Sequence, residues 1–96
     1  MSAYCVWDII EVTDAEKMAE YRRRIGPVVE QYGGRYLAVG GKFDVVEGDW
    51  KFVFPVIIEF PDLEQAHSWY DSEDYRELKE LRLAGSRGNA VFLQGL

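Results

Sequence analysis

One cysteine and one histidine stand in a chain of 96 residues. Alone, Cys5 cannot close an internal disulfide, which fits a reducing compartment. It lies in an apolar strand pattern and so reads as a buried, inert thiol rather than a nucleophile. One His, one Cys and scattered acids show no ligand spacing, so no metal is expected. Basic residues are also few: 11 Lys and Arg stand against 17 Asp and Glu, a net charge of −6. That balance disfavours nucleic acid, whose phosphates need a basic surface, and it disfavours an anionic membrane surface. No apolar run is long enough to span a bilayer, and no basic-then-apolar leader opens the chain. A soluble cytoplasmic protein is therefore expected. The glycines match neither G-x-x-x-x-G-K-[ST] nor G-x-G-x-x-G, so Gly33-Gly34 and Gly40-Gly41 read as backbone bends rather than a phosphate cradle.

What the chain does have is aromatic and β-branched. Aromatics make up 15% of it, with tryptophans at positions 7, 50 and 69, and such rings serve cores and interfaces. The length predicts one domain over residues 1–96. A chain of this size buries roughly two thirds of its unfolded surface, enough for a core without staples. The most apolar run is residues 53–60, read as a central strand. One of its faces carries Phe54, Val56, Ile58 and Phe60, and the other carries Val53, Pro55, Ile57 and Glu59. Both are mainly apolar, which predicts a sheet covered on both sides.

Residues 3–12 form the first predicted strand, again with two apolar faces interrupted only by Asp8 and Glu11. Thr13 with Glu16 matches a capping box. Met18, Tyr21, Ile25, Val28 and Tyr32 then recur at helical spacing. Pro27 predicts a kink or break in that helix, and Gly33-Gly34 its end. The run Arg22 to Arg24 reads as a solvated helix face balanced by Glu16 and Glu20. Residues 35–39 are the second strand, and residues 42–47 its continuation or a short hairpin arm. Asp62 caps a helix carrying Leu63, Ala66, His67 and Tyr70 on one face. Ser72 caps another over residues 73–83. Residues 90–94 are the last strand. This order is the split βαβ or ferredoxin-like βαββαβ motif, an α+β fold with both helical regions on one face of an antiparallel sheet. The second face, expected to carry Trp7 and Ile57, would be a larger apolar patch than soluble monomers expose. The simplest remedy is a twofold homodimer through the sheet face.

Several of these residues together resemble a bacterial family known as domain of unknown function family 1330, in the dimeric α+β barrel superfamily. The resemblance covers nearly the whole chain. It rests on Asp14, Tyr21, Tyr32-Gly33-Gly34, Leu37, Gly40-Gly41, Glu47-Gly48 and Glu59-Phe60-Pro61. The most specific part is Ala66-x-x-Trp69-Tyr70-x-Ser72-x-x-Tyr75-x-x-Leu78 followed by Arg82, with Gly95 as the closing glycine. The resemblance implies the fold and a dimer. Related dimeric barrels include cofactor-free monooxygenases, small isomerases and dehydratases, and haem-degrading enzymes, an analogy of fold only. Haem chemistry would require an axial ligand, for which only His67 is available. No cofactor is expected.

Ser72, Tyr75 and Arg82 form the main candidate site. Ser72 opens a helix whose free amides attract anions, and an arginine two turns on can hold a carboxylate. The structural alternative makes Ser72 a cap, Tyr75 core, and Arg82 the partner of an acid such as Glu59 or Asp8 across the interface. His67, the only side chain with an ordinary titration near neutrality, is a candidate base or a filler at the helix–sheet edge. Asp8 and Glu59 would line any cavity between subunits if they lie on the open face. Otherwise they sit in water at strand ends or pair with Arg35 or Arg82. The leading expectation is a dimer that binds a small anionic or aromatic molecule between sheet and helices, through Tyr75 and Arg82 with Ser72 and Trp69 nearby. A cofactor-independent isomerase-like or monooxygenase-like enzyme using Asp8, Glu59 or His67 is one alternative. A structural dimer without ligand is the other.

Overall fold

A computed structural model describes residues 1–96. The elements run β1 (Ala3–Val12), α1 (Ala15–Gln31), β2 (Arg35–Val39), β3 (Pro55–Phe60), α2 (Leu63–Tyr70), α3 (Glu73–Gly85) and β4 (Ser86–Gln94). The four strands form one antiparallel sheet in the order β2-β3-β1-β4. All three helices pack against one of its faces, which gives the ferredoxin-like α+β fold.

Local chemistry sets most boundaries. Asp14, not Thr13, caps α1: its carboxylate accepts from the backbone N–H of Glu16 and of Lys17, both at 3.1 Å. Thr13 instead turns its hydroxyl toward the Ala84 carbonyl. The N–H of Lys17 and its ammonium hold the Asp14 carboxyl below the usual range. Pro27 does not break α1, which continues to Gln31; only the one hydrogen bond to the Arg23 carbonyl is forfeited. The helix ends at Gly33, whose φ of +81° suits glycine. Asp62 caps α2 and Ser72 caps α3. The Ser72 hydroxyl also donates to the Trp69 carbonyl, which joins the two helices at their bend.

The predicted second arm at residues 42–47 is absent, and β3 starts at Pro55 rather than at residue 53. Residues 40–54 form an irregular excursion instead. Its return is fixed by Asp8, whose carboxylate accepts from the N–H of Val53 at 2.9 Å and of Phe54 at 2.8 Å. Those two N–H groups therefore serve a side chain and not the sheet. β4 is longer than expected and begins directly at Ser86. A Cβ at Gly88 would strike the Asp8 carbonyl, and beside this residue β1 and β4 shift register between Ile9 and Glu11.

Strand pairing assigns the two faces. Trp7 lies opposite Val56, Cys5 opposite Ile58 and Ala3 opposite Phe60, and this side meets the helices. Trp7 thus belongs to the core, against the expectation that placed it on the open face. The open face carries Tyr4 and Val6 of β1, Ile57 and Glu59 of β3, and Val91 and Leu93 of β4. Val91 is 56% exposed and Leu93 is 60% exposed.

The core is an aromatic stack under α2 and α3. Trp69, Tyr75 and Phe60 are fully buried. The Trp69 ring lies 4.3 Å from Tyr75 and 5.2 Å from Phe60, with Trp7 edge-on at 5.8 Å. Burying a side chain of Phe size contributes about 1.5–3 kcal/mol. The indole N–H groups of Trp7 and Trp69 are buried here without a hydrogen-bond acceptor. Burial pushes the Cys5 thiol up to about 12, in keeping with an inert core residue.

Candidate functional site

The aromatic stack props one half of the helical layer, and the other half stands away from the sheet. Helix α1 runs along α3 and reaches the strands through the side chains of Ile25 and Val29 rather than by close backbone approach. A cavity of about 330 Å³ opens between them, within the range of about 300–1,000 Å³ usual for small-molecule sites. Trp7 and Ile9 of β1, Val56 and Ile58 of β3 and Tyr36 and Val39 of β2 form its floor. Met18, Tyr21, Ile25 and Gly26 of α1 form its roof, with Phe54 at the rim. Gly26, with no other atom near the place of a Cβ, adds space there. Among these mostly apolar walls only Arg22 and Arg82 carry a charge.

Arg82 is the unusual member. It is only 9% exposed. Its Nε donates to the Tyr75 hydroxyl at 3.2 Å, and one Nη approaches the Tyr70 hydroxyl at 3.5 Å. No carboxylate of the chain pairs with it. Asp8 and Glu59, the acids expected as partners, point from the opposite face of the sheet. Glu59 pairs there with Arg35 at 2.8 Å, and that hydrogen bond holds its carboxyl below the usual range. A buried cation without a counter-charge is costly. Burial works against the charge of Arg82, but the Tyr75 oxygen that accepts from it, with Tyr21 and Tyr70 nearby, more than offsets this and raises its pKa.

Tyr75 passes the contact on to the Tyr21 hydroxyl at 2.9 Å. Burial raises the pKa of both phenols, and Tyr75 further raises that of Tyr21. Burial pushes Tyr36, also on the cavity wall, up to about 12. All three are neutral donors and acceptors at ordinary pH.

The structure brings together only part of the set singled out from sequence. Arg82 lines the cavity. Tyr75 lies behind it and holds the Arg82 side chain, and Trp69 stacks on Tyr75. Ser72 caps α3 at the Tyr75 N–H at 3.1 Å. His67 is exposed, with its ring 5.1 Å from that of Phe92, and is not on the cavity wall. Asp8 is taken up by the backbone of the excursion. Tyr21, Tyr36 and Arg22 were missed as site residues. Tyr21 looked like one more apolar residue of its stripe. Arg22 looked like one of three solvated arginines, yet Arg23 and Arg24 pair with Glu20, while Arg22 makes no ion pair and lies against the cavity. No three His, Cys, Asp or Glu side chains gather where they could hold a metal ion, and no helix is long and apolar enough to cross a membrane.

Solved structures of this fold extend over nearly the whole chain. A protein of unknown function from Rhodopseudomonas palustris, RPA0582, is 22% identical with a TM-score of 0.76, over 99% of this chain and 82% of that one. A dimeric ferredoxin-like protein of unknown function from Jannaschia sp. CCS1 is 11% identical with a TM-score of 0.65, over 99% of this chain and 100% of the other. A Nitrosomonas europaea protein, provisionally described as an antibiotic biosynthesis monooxygenase, is 13% identical with a TM-score of 0.55, over 99% and 89%. At these identities the likeness is one of fold. No curated protein matches the chain by sequence. The family model for the domain of unknown function DUF1330 matches residues 2–96, and the chain belongs to that family.

Proposed function

We propose that this protein is a homodimeric, cytoplasmic, single-domain binder of a small carboxylate whose apolar or aromatic body lies in the cavity between α1 and the sheet. The observation that carries this reading is Arg82, a buried guanidinium with phenols for partners and no acid, at the edge of an otherwise apolar cavity. A guanidinium has five N–H donors, and only two are engaged. A ligand carboxylate would supply the missing charge and accept two of the remaining donors side by side. Trp7, Ile58 and Ile25 would cover its body. Tyr75, Trp69 and Ser72 support the site from behind, and Arg22 would stand by the ligand's outer end.

The open sheet face is proposed to meet a second copy of the chain. Val6, Ile57, Val91 and Leu93 make it apolar across three strands. Proteins of like fold from Jannaschia sp. CCS1 and Bacteroides fragilis are described as dimeric. Asp8, Glu59 and His67 lie away from the cavity, so the reading is one of binding and assigns no base.

Calorimetric titration with small aryl and alkyl carboxylates tests the reading. Wild-type protein should bind at least one of them. Arg82→Gln, with an unchanged circular dichroism spectrum, should lose that binding by about tenfold or more. Equal affinity in the two proteins contradicts the reading.

A further inference from the structure

The hydroxyl hydrogens around Arg82 can be placed by elimination. The Arg82 guanidinium only donates, so at the Tyr75 oxygen it takes up an acceptor position. Tyr75 is fully buried, and its hydroxyl meets only Arg82 and Tyr21. The hydrogen of Tyr75 therefore has one destination, the oxygen of Tyr21. The reverse arrangement would strand a buried hydroxyl hydrogen with no acceptor, which folded proteins avoid. With its oxygen occupied, Tyr21 holds a hydrogen for which the chain offers no acceptor, and its side chain lies on the cavity wall. The cation at the head of this series polarises each O–H in turn and makes the last one a better donor. Burial raises the pKa of both phenols, so the order persists through neutral pH.

We infer that Tyr21 is a specificity-determining donor, and that with Arg82 it restricts the cavity to a ligand whose polar end only accepts hydrogen bonds, an ionised carboxylate, against the primary amide of the same shape. This rests on the reading of the cavity as a carboxylate site. Two donor side chains, one charged, border the cavity. A carboxylate offers each an oxygen. An amide has one accepting oxygen for the two donors and carries no charge to answer Arg82, and any pose that turns its NH₂ toward either sets donor against donor, a source of discrimination by mismatch.

The test is calorimetry with benzoate, phenylacetate, indole-3-acetate and hexanoate, each beside its primary amide, on wild type, Tyr21→Phe and Arg82→Gln. For a carboxylate that binds wild type, the amide should bind about tenfold more weakly or worse. Tyr21→Phe should weaken the carboxylate by a similar factor, change the amide little, and so shrink the ratio between them. Wild-type carboxylate affinity and an unchanged ratio in Tyr21→Phe overturn the role of Tyr21. If Arg82→Gln has meanwhile lost binding, the carboxylate site itself stands. Failure of all four carboxylates to bind wild type overturns both. Should Tyr21→Phe not fold, fluorotyrosine at position 21 supplies a more acidic hydroxyl and hence a stronger donor. Carboxylate binding should then tighten, and unaltered binding counts against the inference.

Discussion

The guanidinium of Arg82 donates to the hydroxyl of Tyr75 at 3.2 Å and has no acid as its counter-charge. Tyr75 lies seven residues earlier on α3, two turns along one helix face. Its hydroxyl and, at 3.5 Å, that of Tyr70 are the neutral acceptors that hold the arginine at this depth, while Asp8 and Glu59 face the other side of the sheet.

Arg82 is held in the empty protein by neutral phenols and not by a counter-charge. Replacing it by an apolar side chain of similar length should leave the fold intact, since buried ionic groups are often exchanged for hydrophobic ones without loss. Arg82→Met is expected to unfold in urea within about 1 kcal/mol of wild type or at higher denaturant, while losing carboxylate binding. A loss of several kcal/mol would mark Arg82 as structural.

The phenol pair predicts a coupled loss. Tyr75→Phe leaves the Arg82 Nε hydrogen unpartnered, and Tyr21→Phe leaves the Tyr75 hydrogen without an acceptor. Each should lower stability by about 1–3 kcal/mol. The double variant should lose less than the sum, by about 0.5 kcal/mol or more. Additive losses in a double-mutant cycle would break the proposed order of hydrogen bonds.

Alkaline pH should destabilise the protein before it affects a comparable chain with exposed phenols. Burial pushes Cys5 and Tyr36 each up to about 12 and raises Tyr21 and Tyr75 as well. The unfolded chain gives up these protons at lower pH than the folded one. The stability they confer is therefore whole below the ordinary thiol and phenol values, and it falls as pH rises through and beyond them. Urea midpoints should be flat around neutrality and decline steeply above the ordinary thiol range, with tyrosinate absorbance appearing as the fold is lost. In the native state Cys5 should resist thiol reagents.

The sheet face predicts a dimer that a single charge disrupts. Wild type should sediment as a dimer at micromolar concentration, and Val91→Lys, at a position that is 56% exposed in the single chain, should sediment as a folded monomer. A wild-type monomer would remove the proposed partner.

The boundaries of β1 and β2 and the caps at Asp62 and Ser72 were legible in the sequence because short-range chemistry sets them. The parity of β1 was not. Ala3, Cys5, Trp7 and Ile9 are no more apolar than Tyr4, Val6 and Ile10, so alternation alone could not say which set meets the helices, and Trp7 was placed on the wrong side. Val53 and Phe54 look like strand because their side chains suit one, but Asp8 takes their N–H groups from 45 and 46 residues away. Arg82 could be singled out from sequence, whereas its lack of an acid could not. That lack depends on which sheet face Glu59 and Asp8 occupy. The cavity depends on α1 leaning toward α3, a relation between helices that no local pattern encodes. Tyr21 and Arg22 were hidden by the company they keep in sequence, one among apolar residues and the other among arginines.

The most direct measurement is the NMR signal of the Arg82 Nε–H during titration with a bound carboxylate from the panel. The account predicts that this signal and the side-chain signals of Tyr21 and Trp7 shift together and saturate with one affinity, and that the primary amide leaves them nearly in place. Saturable shifts confined to other residues, with the Arg82 signal unmoved, would place the ligand elsewhere and contradict the account.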